Sequence, residues 1–502
     1  MQSNVLEWLE YTAKYMPEKT ALVDEQELLT FREYHDKSIG IAEEILRSGY
    51  GPKKPVVVYI EKSVKVLVSF MGIAYSGNFY SPIDTEMPAT RVNKILEVLK
   101  PELVITTKVL ADEFKAFAYQ GRFLFYEEIE EREESEKVQN AVDSIIDTDL
   151  LYVLFTSGST GVPKGVCITH GSVIDYIDWV TKTFEITEKD VLGNQAPFYF
   201  DNSILDIYST MKTGAALYII PQKLFSQPVP LLEYLKEHGV NTIFWVPSAL
   251  IVVSKLRALK NVDTKGILRR VLFCGEVMPN KQLNIWRKFL PDAVFANLYG
   301  PTEITDACTC YIVDRAFGDE EPLPIGFPMR NTDIMVLDDE DHLVTEPEIV
   351  GELCVRGTGL ARGYYRNPEK TQAAFVQNPL NDAYEEKIYR TGDLVKYNER
   401  HELIYLSRKD FQIKHMGHRI ELGEIETAVS SLPGISLCCC LYDERHSRIV
   451  LFIDQERKKD EINGQLKTMI PEYMLPGKVI VKEEMPINAN GKIDRVRLKE
   501  LL

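Results

Sequence analysis

The sequence predicts an α/β fold in more than one domain, with largely parallel sheets first and a β-rich region later. Three observations lead there. Over about the first 400 residues, short apolar runs alternate with amphipathic stretches, the pattern of helices packed on parallel strands. After Gly318 the pattern becomes short strands broken by turn residues. The length of 502 residues also exceeds what a single core usually organises.

The elements follow in chain order. Ala21-Leu22-Val23, residues 56–60, Leu103-Val104-Ile105 and Thr242-Ile243-Phe244-Trp245 are continuous apolar runs of strand length, rich in β-branched residues. Residues 41–48 and 91–99 carry apolar positions at helical spacing. Leu150-Leu151-Tyr152-Val153-Leu154-Phe155 reads as a buried strand. Ile334-Met335-Val336-Leu337 runs into the turn-forming Asp338-Asp339-Glu340-Asp341, which places a β-rich subdomain from about residue 320. Residues 421–432 read as a helix with Glu424 and Glu426 on its solvated side. There are no internal repeats and no low-complexity linkers.

Composition excludes several classes. A hydrophobic share of 45% is ample for a folded core, and a net charge of −17 argues against a general nucleic-acid or anionic-membrane binder. The acidic run at residues 127–136 reads as a solvated segment. No stretch approaches the about 18 apolar residues of a spanning helix, and the N-terminal residues lack a basic leader with an apolar centre. The eight cysteines show no Cys-x-x-Cys spacing, and Cys438, Cys439 and Cys440 sit in an apolar run as reduced core residues. A cytoplasmic protein is expected.

The loop after the strand at 150–155 is the most informative segment. Residues 156–166 read Thr-Ser-Gly-Ser-Thr-Gly-Val-Pro-Lys-Gly-Val. Glycines at 158, 161 and 165 free the backbone to turn its N–H groups toward an anion. Thr156, Ser157, Ser159 and Thr160 add hydroxyl donors, and Lys164 adds positive charge. The loop is suited to phosphate. It is not a Walker A loop, because Pro163 precedes the lysine and Gly165 follows it.

This loop resembles the signature loop of the adenylate-forming superfamily, which includes acyl-CoA synthetases, luciferases and the adenylation domains of nonribosomal peptide synthetases. Other blocks resemble that family in its order along most of the chain. They include residues 29–33, residues 71–84, Asn297-Leu298-Tyr299-Gly300-Pro301-Thr302-Glu303 and Gly351-Glu352-Leu353 with Ala361-Arg362-Gly363-Tyr364. Tyr389-Arg390-Thr391-Gly392-Asp393-Leu394, residues 419–426 and Asn490-Gly491-Lys492-Ile493-Asp494-Arg495 complete the series.

The resemblance implies a large core at residues 1–409 and a small mobile α+β domain at 410–502, hinged at Asp410. It implies ATP and Mg²⁺ as cofactors. Thr156, Ser157, Gly158, Ser159, Thr160, Gly161 and Lys164 would hold the β- and γ-phosphates. Thr302 would meet the α-phosphate, and Glu303 would hold the metal. Tyr299 would stack on adenine and Asp393 would accept the ribose hydroxyls with help from Arg408. Gly275, Glu276, Asn297 and Gly300 complete the nucleotide set. Lys492 would bridge the incoming carboxylate and the α-phosphate in the adenylation step.

Asp201 separates subfamilies. By resemblance, an aspartate at this position pairs with the α-ammonium of an amino-acid substrate, and a buried carboxylate left without a cation is costly. Asn202, Leu205, Phe244, Leu272, Cys274, Leu298, Asp306 and Ala307 would line the side-chain pocket. The expected reaction forms an aminoacyl-adenylate, then passes the amino acid to the phosphopantetheine thiol of an acyl or peptidyl carrier protein. Residues 194–198 and 273–279 look most like freestanding D-alanine–carrier-protein ligases, although Asp306, Phe244 and Asn202 depart from their pattern. The alternatives are that D-alanylating activity specifically, or an acyl- or aryl-CoA synthetase. The end of the chain seven residues after Arg495 is read as a freestanding ligase, with an excised domain as the other reading. Gly417 would let the pantetheine arm pass. No nucleic-acid partner and no membrane insertion are expected.

Overall fold

The computed structural model describes residues 2–130, 134–158, 161–409, 412–435, 437–482, 484–486 and 493–502. Ser159, Thr160, Asp410 and Lys492, each given a role above, lie outside the described residues.

Among the described residues the strands form five sheets. Two are large and mostly parallel. In the six-stranded sheet, Pro55–Tyr59 pairs in parallel with Phe79–Pro82 and Leu103–Thr106, and Arg122–Phe125 continues that edge. Leu150–Thr156 adds beside Phe79–Pro82, and the chain then returns antiparallel as Lys164–Thr169. The nine-stranded sheet is centred on Ala216–Ile219, Val191–Asn194, Thr242–Trp245, Arg270–Phe273 and Val294–Tyr299, all in parallel register. Pro55–Tyr59, Leu103–Thr106, Thr242–Trp245 and Arg270–Phe273 are buried at every position, as continuous apolar strands covered on both faces must be.

One continuous apolar core joins both sheets through helix Val64–Tyr75. The helical pattern at 41–48 is the end of a longer helix, Phe31–Arg47, started by a reciprocal Thr30–Glu33 capping box. The two helices meet at Gly72, where a Cβ would lie 2.4 Å from the Cβ of Ile41. Only glycine allows that approach.

The β-rich region is an antiparallel sheet of Thr332–Leu337, Gly351–Gly357, Lys387–Tyr397, Phe375–Gln377 and Leu403–Arg408. It starts later than the sequence suggested, because Phe327–Pro328 pairs into the nine-stranded sheet. Beyond Leu403–Arg408, Gln412–His415 and His418–Glu421 form a separate two-stranded hairpin turned at Met416-Gly417. Helix Leu422–Ser430 then packs on a three-stranded sheet with a core of its own. Cys439 and Cys440 are buried there, and all eight cysteines are reduced. Among the described residues no helix is long and apolar enough to cross a membrane.

The solvated face expected for Glu424 and Glu426 is not what forms. Glu424 is 5% exposed and ion-paired with Arg91 of helix Ala89–Leu99, and Glu426 binds the Arg495 guanidinium and the Cys440 N–H. Glu424 faces the larger domain and Glu426 faces the sheet and terminal helix of its own domain, so both carboxylates meet protein cations instead of water.

Candidate active site

A cavity opens where the C-terminal ends of strands from both large sheets converge, the usual ligand position in open α/β sheets. Thr156 ends the strand at 150–156 and Ser157 follows it, Gly275 follows Arg270–Phe273, and Gly300, Pro301 and Thr302 follow Val294–Tyr299. Asp201 and Asn202 arrive from the turn before helix Ser203–Thr213. Asp393 and Arg408 come from the β-rich sheet, and Gln412, Lys414, Gly417 and Arg419 from the hairpin of the small domain. Both domains therefore build this one site.

The phosphate-loop candidates stand at the domain junction. The Ser157 hydroxyl donates to the Arg419 carbonyl at 2.8 Å, and the Gly161 carbonyl accepts from Lys94 Nζ at 2.7 Å. The Gly158 carbonyl accepts from the Gly161 N–H at 2.8 Å. The Thr156 hydroxyl is buried without a partner. Lys164 lies over the Tyr364 ring with Nζ 3.9 Å from Glu421, and burial lowers its pKa. These groups suit an anion: an orphan hydroxyl and a largely desolvated ammonium.

At the far side, the hydroxyl of Tyr299 donates to Asp393, which Arg408 Nη1 also meets at 3.0 Å. Arg408 is anchored in turn on the Thr391 carbonyl at 2.7 Å. This leaves a fixed, buried carboxylate beside an aromatic ring, an arrangement that fits a ribose next to a base. Asn297, expected at the nucleotide, instead donates its amide to the Pro324 carbonyl at 2.8 Å. Glu276 accepts the Gly417 N–H and the Ser248 N–H, each at 2.9 Å, so here it fastens the hairpin to the larger domain.

Glu303 is wholly buried. It accepts from Arg419 Nη1 at 2.6 Å and from the Tyr364 hydroxyl at 2.7 Å. Burial pushes its carboxyl up, but Arg419 and Lys164 outweigh burial and hold it down at about 2. A buried, fully ionised carboxylate at the phosphate end fits a divalent cation. In this arrangement of the domains Arg419 takes that place.

Asp201 is 9% exposed, and burial raises its pKa although Thr302 donates to it and Lys414 lies near. A buried carboxylate of this kind suits a cationic partner. Leu205, Phe244, Leu272, Cys274, Leu298 and Ala307 are buried together in the core behind it, and Asn202 Nδ2 has no partner. Asp306 belongs to the same group: it is 1% exposed and accepts the Tyr176 hydroxyl at 2.6 Å.

Sequence reasoning missed several residues of this site. Arg91 supports the small domain through Glu424, and His418 stacks on Tyr473 at 3.5 Å while its opposite edge meets Phe200. Burial drops the His418 pKa to about 3, so it is a neutral wedge. Lys414 reaches the cavity and lies over Tyr299. The signal available was the hairpin itself, charged at Lys414 and Arg419 around a glycine turn.

Comparison with known proteins agrees with this geometry. The family described as AMP-binding enzyme matches residues 9–365, and its C-terminal domain matches residues 424–492. Zwittermicin A synthase ZmaJ of Bacillus cereus is 31% identical over 95% of this chain and 91% of its own length. A D-alanine–D-alanyl carrier protein ligase of Bacillus licheniformis is 31% identical over 99% of both chains. The chain also matches larger synthases of which it spans less than half, 43% of one from Brevibacillus brevis. In fold it resembles the Vibrio cholerae adenylation domain AlmE, solved with glycyl-adenosine-5′-phosphate, at a TM-score of 0.85 and 21% identity over 100% and 98% of the two chains.

Proposed function

This chain belongs to the AMP-binding enzyme family, and on that premise we propose that it activates an amino acid with ATP and hands it to a carrier-protein thiol. The observation that carries the reading is the shared cavity. Thr156 and Ser157 of the phosphate-suited loop, Asp393 and Arg408 beside Tyr299, and the buried Asp201 carboxylate open onto the same space.

Asp201 binds the α-ammonium, which relieves its burial and turns the substrate carboxylate toward Thr302 and the phosphate loop. That carboxylate attacks the α-phosphorus; one P–O bond forms, the bond to pyrophosphate breaks, and the aminoacyl-adenylate remains. The chain's task is positioning and charge stabilisation. Glu303 would hold Mg²⁺, which supplies charge neutralisation at the phosphates. Lys492, assigned from its motif, adds the mobile cation of this step. Asp410 is the proposed hinge between residues 1–409 and 410–502.

The domain position seen here suits the second half-reaction. Arg419 cannot neutralise Glu303 while a metal does, and Glu421 and the Arg419 carbonyl engage Lys164 and Ser157, groups meant for phosphate. Both contacts favour a state after pyrophosphate has gone. A pantetheine thiolate then attacks the acyl carbon, the C–O bond to AMP breaks, and a thioester results. The cysteines, all reduced, fit a cytoplasmic enzyme. Asp201 argues against a CoA ligase of simple acids, which would leave it unpaired.

ATP–pyrophosphate exchange across amino acids of both enantiomers, with acetate, benzoate and fatty acids as controls, tests the reading. Amino-acid-dependent exchange is expected, reduced by about 100- to 1,000-fold in Lys492→Ala. Transfer from preformed adenylate to the carrier should survive that substitution. Exchange with the simple acids alone would overturn the role of Asp201.

A further inference from the structure

We infer that Lys62, Asn194 and Asp206 form a polar clasp that positions Asp201, so that recognition of the substrate's α-ammonium depends on side chains outside the binding cavity. The inference rests on the proposed pairing of Asp201 with that ammonium and adds the residues that hold it in place.

Asp201 sits on an irregular segment, and that segment needs an anchor. Residues 195–202 join strand Val191–Asn194 to helix Ser203–Thr213. Inside the segment the backbone bonds are local. The Phe200 N–H reaches the Pro197 carbonyl at 3.0 Å, the Ser203 N–H the Phe200 carbonyl at 3.1 Å, and the Ile204 N–H the Asp201 carbonyl at 2.8 Å. Such turns set the curvature of the segment but not its place over the sheets.

The clasp acts at the neck. The Asn194 side-chain amide donates to Oδ2 of Asp206 at 2.9 Å, which ties the end of the strand to the first turn of the helix. Lys62 arrives from the other large sheet, between strand Pro55–Tyr59 and helix Val64–Tyr75. Its ammonium donates to the Gln195 carbonyl at 2.9 Å and lies 5.4 Å from the centre of the Phe198 ring. That ring packs edge-on against Phe70 of the same helix. One side chain of the opposite sheet therefore holds two of the residues that lead to Asp201.

Charge makes the clasp more than packing. Asp206 is 1% exposed and Asn194 is wholly buried. Burial lowers the Lys62 pKa against the pull of Asp206, and burial raises the Asp206 pKa against the Asn194 bond and Lys62. Each charge thus stabilises the other in a desolvated place. An ammonium, an amide and a carboxylate are costly there, and apolar side chains of similar volume would pack without that cost. What the polar set supplies is direction, because hydrogen bonds fix orientation and apolar contact does not. None of the three lines the cavity. They are positioning residues that act through Asp201.

The test is ATP–pyrophosphate exchange by the full chain with its best amino acid and with the same acid lacking the amine. Small misplacements of a binding group cost up to about 100-fold, so Lys62→Met should raise KM for the amino acid at least about tenfold and leave KM for ATP within about threefold. The preference for the amino acid over its desamino analogue should fall at least about tenfold as well. Lys62→Arg, which keeps a charged donor, should recover most of both. Asp206→Asn should lower the same preference, and Lys62→Met combined with Asp206→Asn should lose no more than the worse single variant, since the two act as a unit. In an Asp201→Ala background, Lys62→Met should leave the preference where it is. Melting temperatures measured alongside separate folding from positioning, and if Lys62→Met does not fold, Lys62→Arg and Asp206→Asn carry the test. A lower melting temperature with an unchanged preference, an equal rise in both KM values, or a loss that persists without Asp201 overturns the inference and leaves amino-acid activation standing. Exchange with no amino acid in the native protein overturns both.

Discussion

Replacing Gly417 by alanine should separate the two half-reactions. Gly417 sits at φ +81° in the turn of the 412–421 hairpin, and its N–H donates to Glu276 at 2.9 Å. A Cβ there would lie 2.8 Å from Cγ1 of Val246 and 3.4 Å from its Cβ and Cγ2. The strain of a non-glycine residue in left-handed backbone, about 1–2 kcal/mol, exists whether or not the small domain is docked, and so cancels in the docking equilibrium. The clash with Val246 does not cancel. Val246 is β-branched and 9% exposed, so it yields by leaving its rotamer, at about 0.5–1.5 kcal/mol. Displacing the hairpin also weakens a hydrogen bond to a charged acceptor, worth about 1.5–3 kcal/mol when intact. With half of that bond lost, the docked arrangement weakens by about 1.3–3 kcal/mol, or roughly 10- to 150-fold in population.

Two assays read the result. Single-turnover thioester formation on the carrier should fall at least about tenfold, while ATP–pyrophosphate exchange should stay within about threefold. Gly464→Ala, in the same domain with open space at its Cβ, is the control and should change neither. If exchange falls as far as loading, or loading is untouched, the assignment of this domain position to thioester formation is wrong.

Two other outcomes follow from the same geometry. Glu303 has its pKa depressed to about 2 by Arg419 and Lys164, so its stabilising contribution is complete above the unfolded carboxylate value of about 4.3 and disappears as pH falls through about 2. Urea unfolding of the native protein and Glu303→Gln should therefore differ most above about pH 4.5 and converge toward pH 2; a constant difference would refute the ion pair's role. Breaking the buried Arg91–Glu424 pair by Arg91→Ala should weaken docking by about 3–5 kcal/mol and slow carrier loading, whereas Arg91→Met with Glu424→Leu should recover much of it. Loading rates and limited proteolysis around residue 410 check this, and equal loss in the single and double variants would count against it.

The sequence by itself determined the layers and the chemistry. Continuous apolar runs such as residues 56–60 and 242–245 suit strands covered on both faces, and in the fold they lie at sheet centres. The loop at 156–166 declared its affinity for anions through residue types alone, because glycines, hydroxyls and a lysine in sequence need no distant partner to suit phosphate. Asp201 stood out only through its position in the family resemblance. What only the tertiary structure decided are the pairings between residues far apart in the chain. Glu424 reads as solvated on its own helix and is buried because Arg91, 333 positions away, meets it. Arg419 is one charge in a basic hairpin until the domains close and bring it to Glu303. Asp306 is one more aspartate until folding buries it against the Tyr176 hydroxyl. Charge and hydrogen-bond capacity are written residue by residue, but whether they are satisfied depends on which surfaces meet, and folding alone sets that.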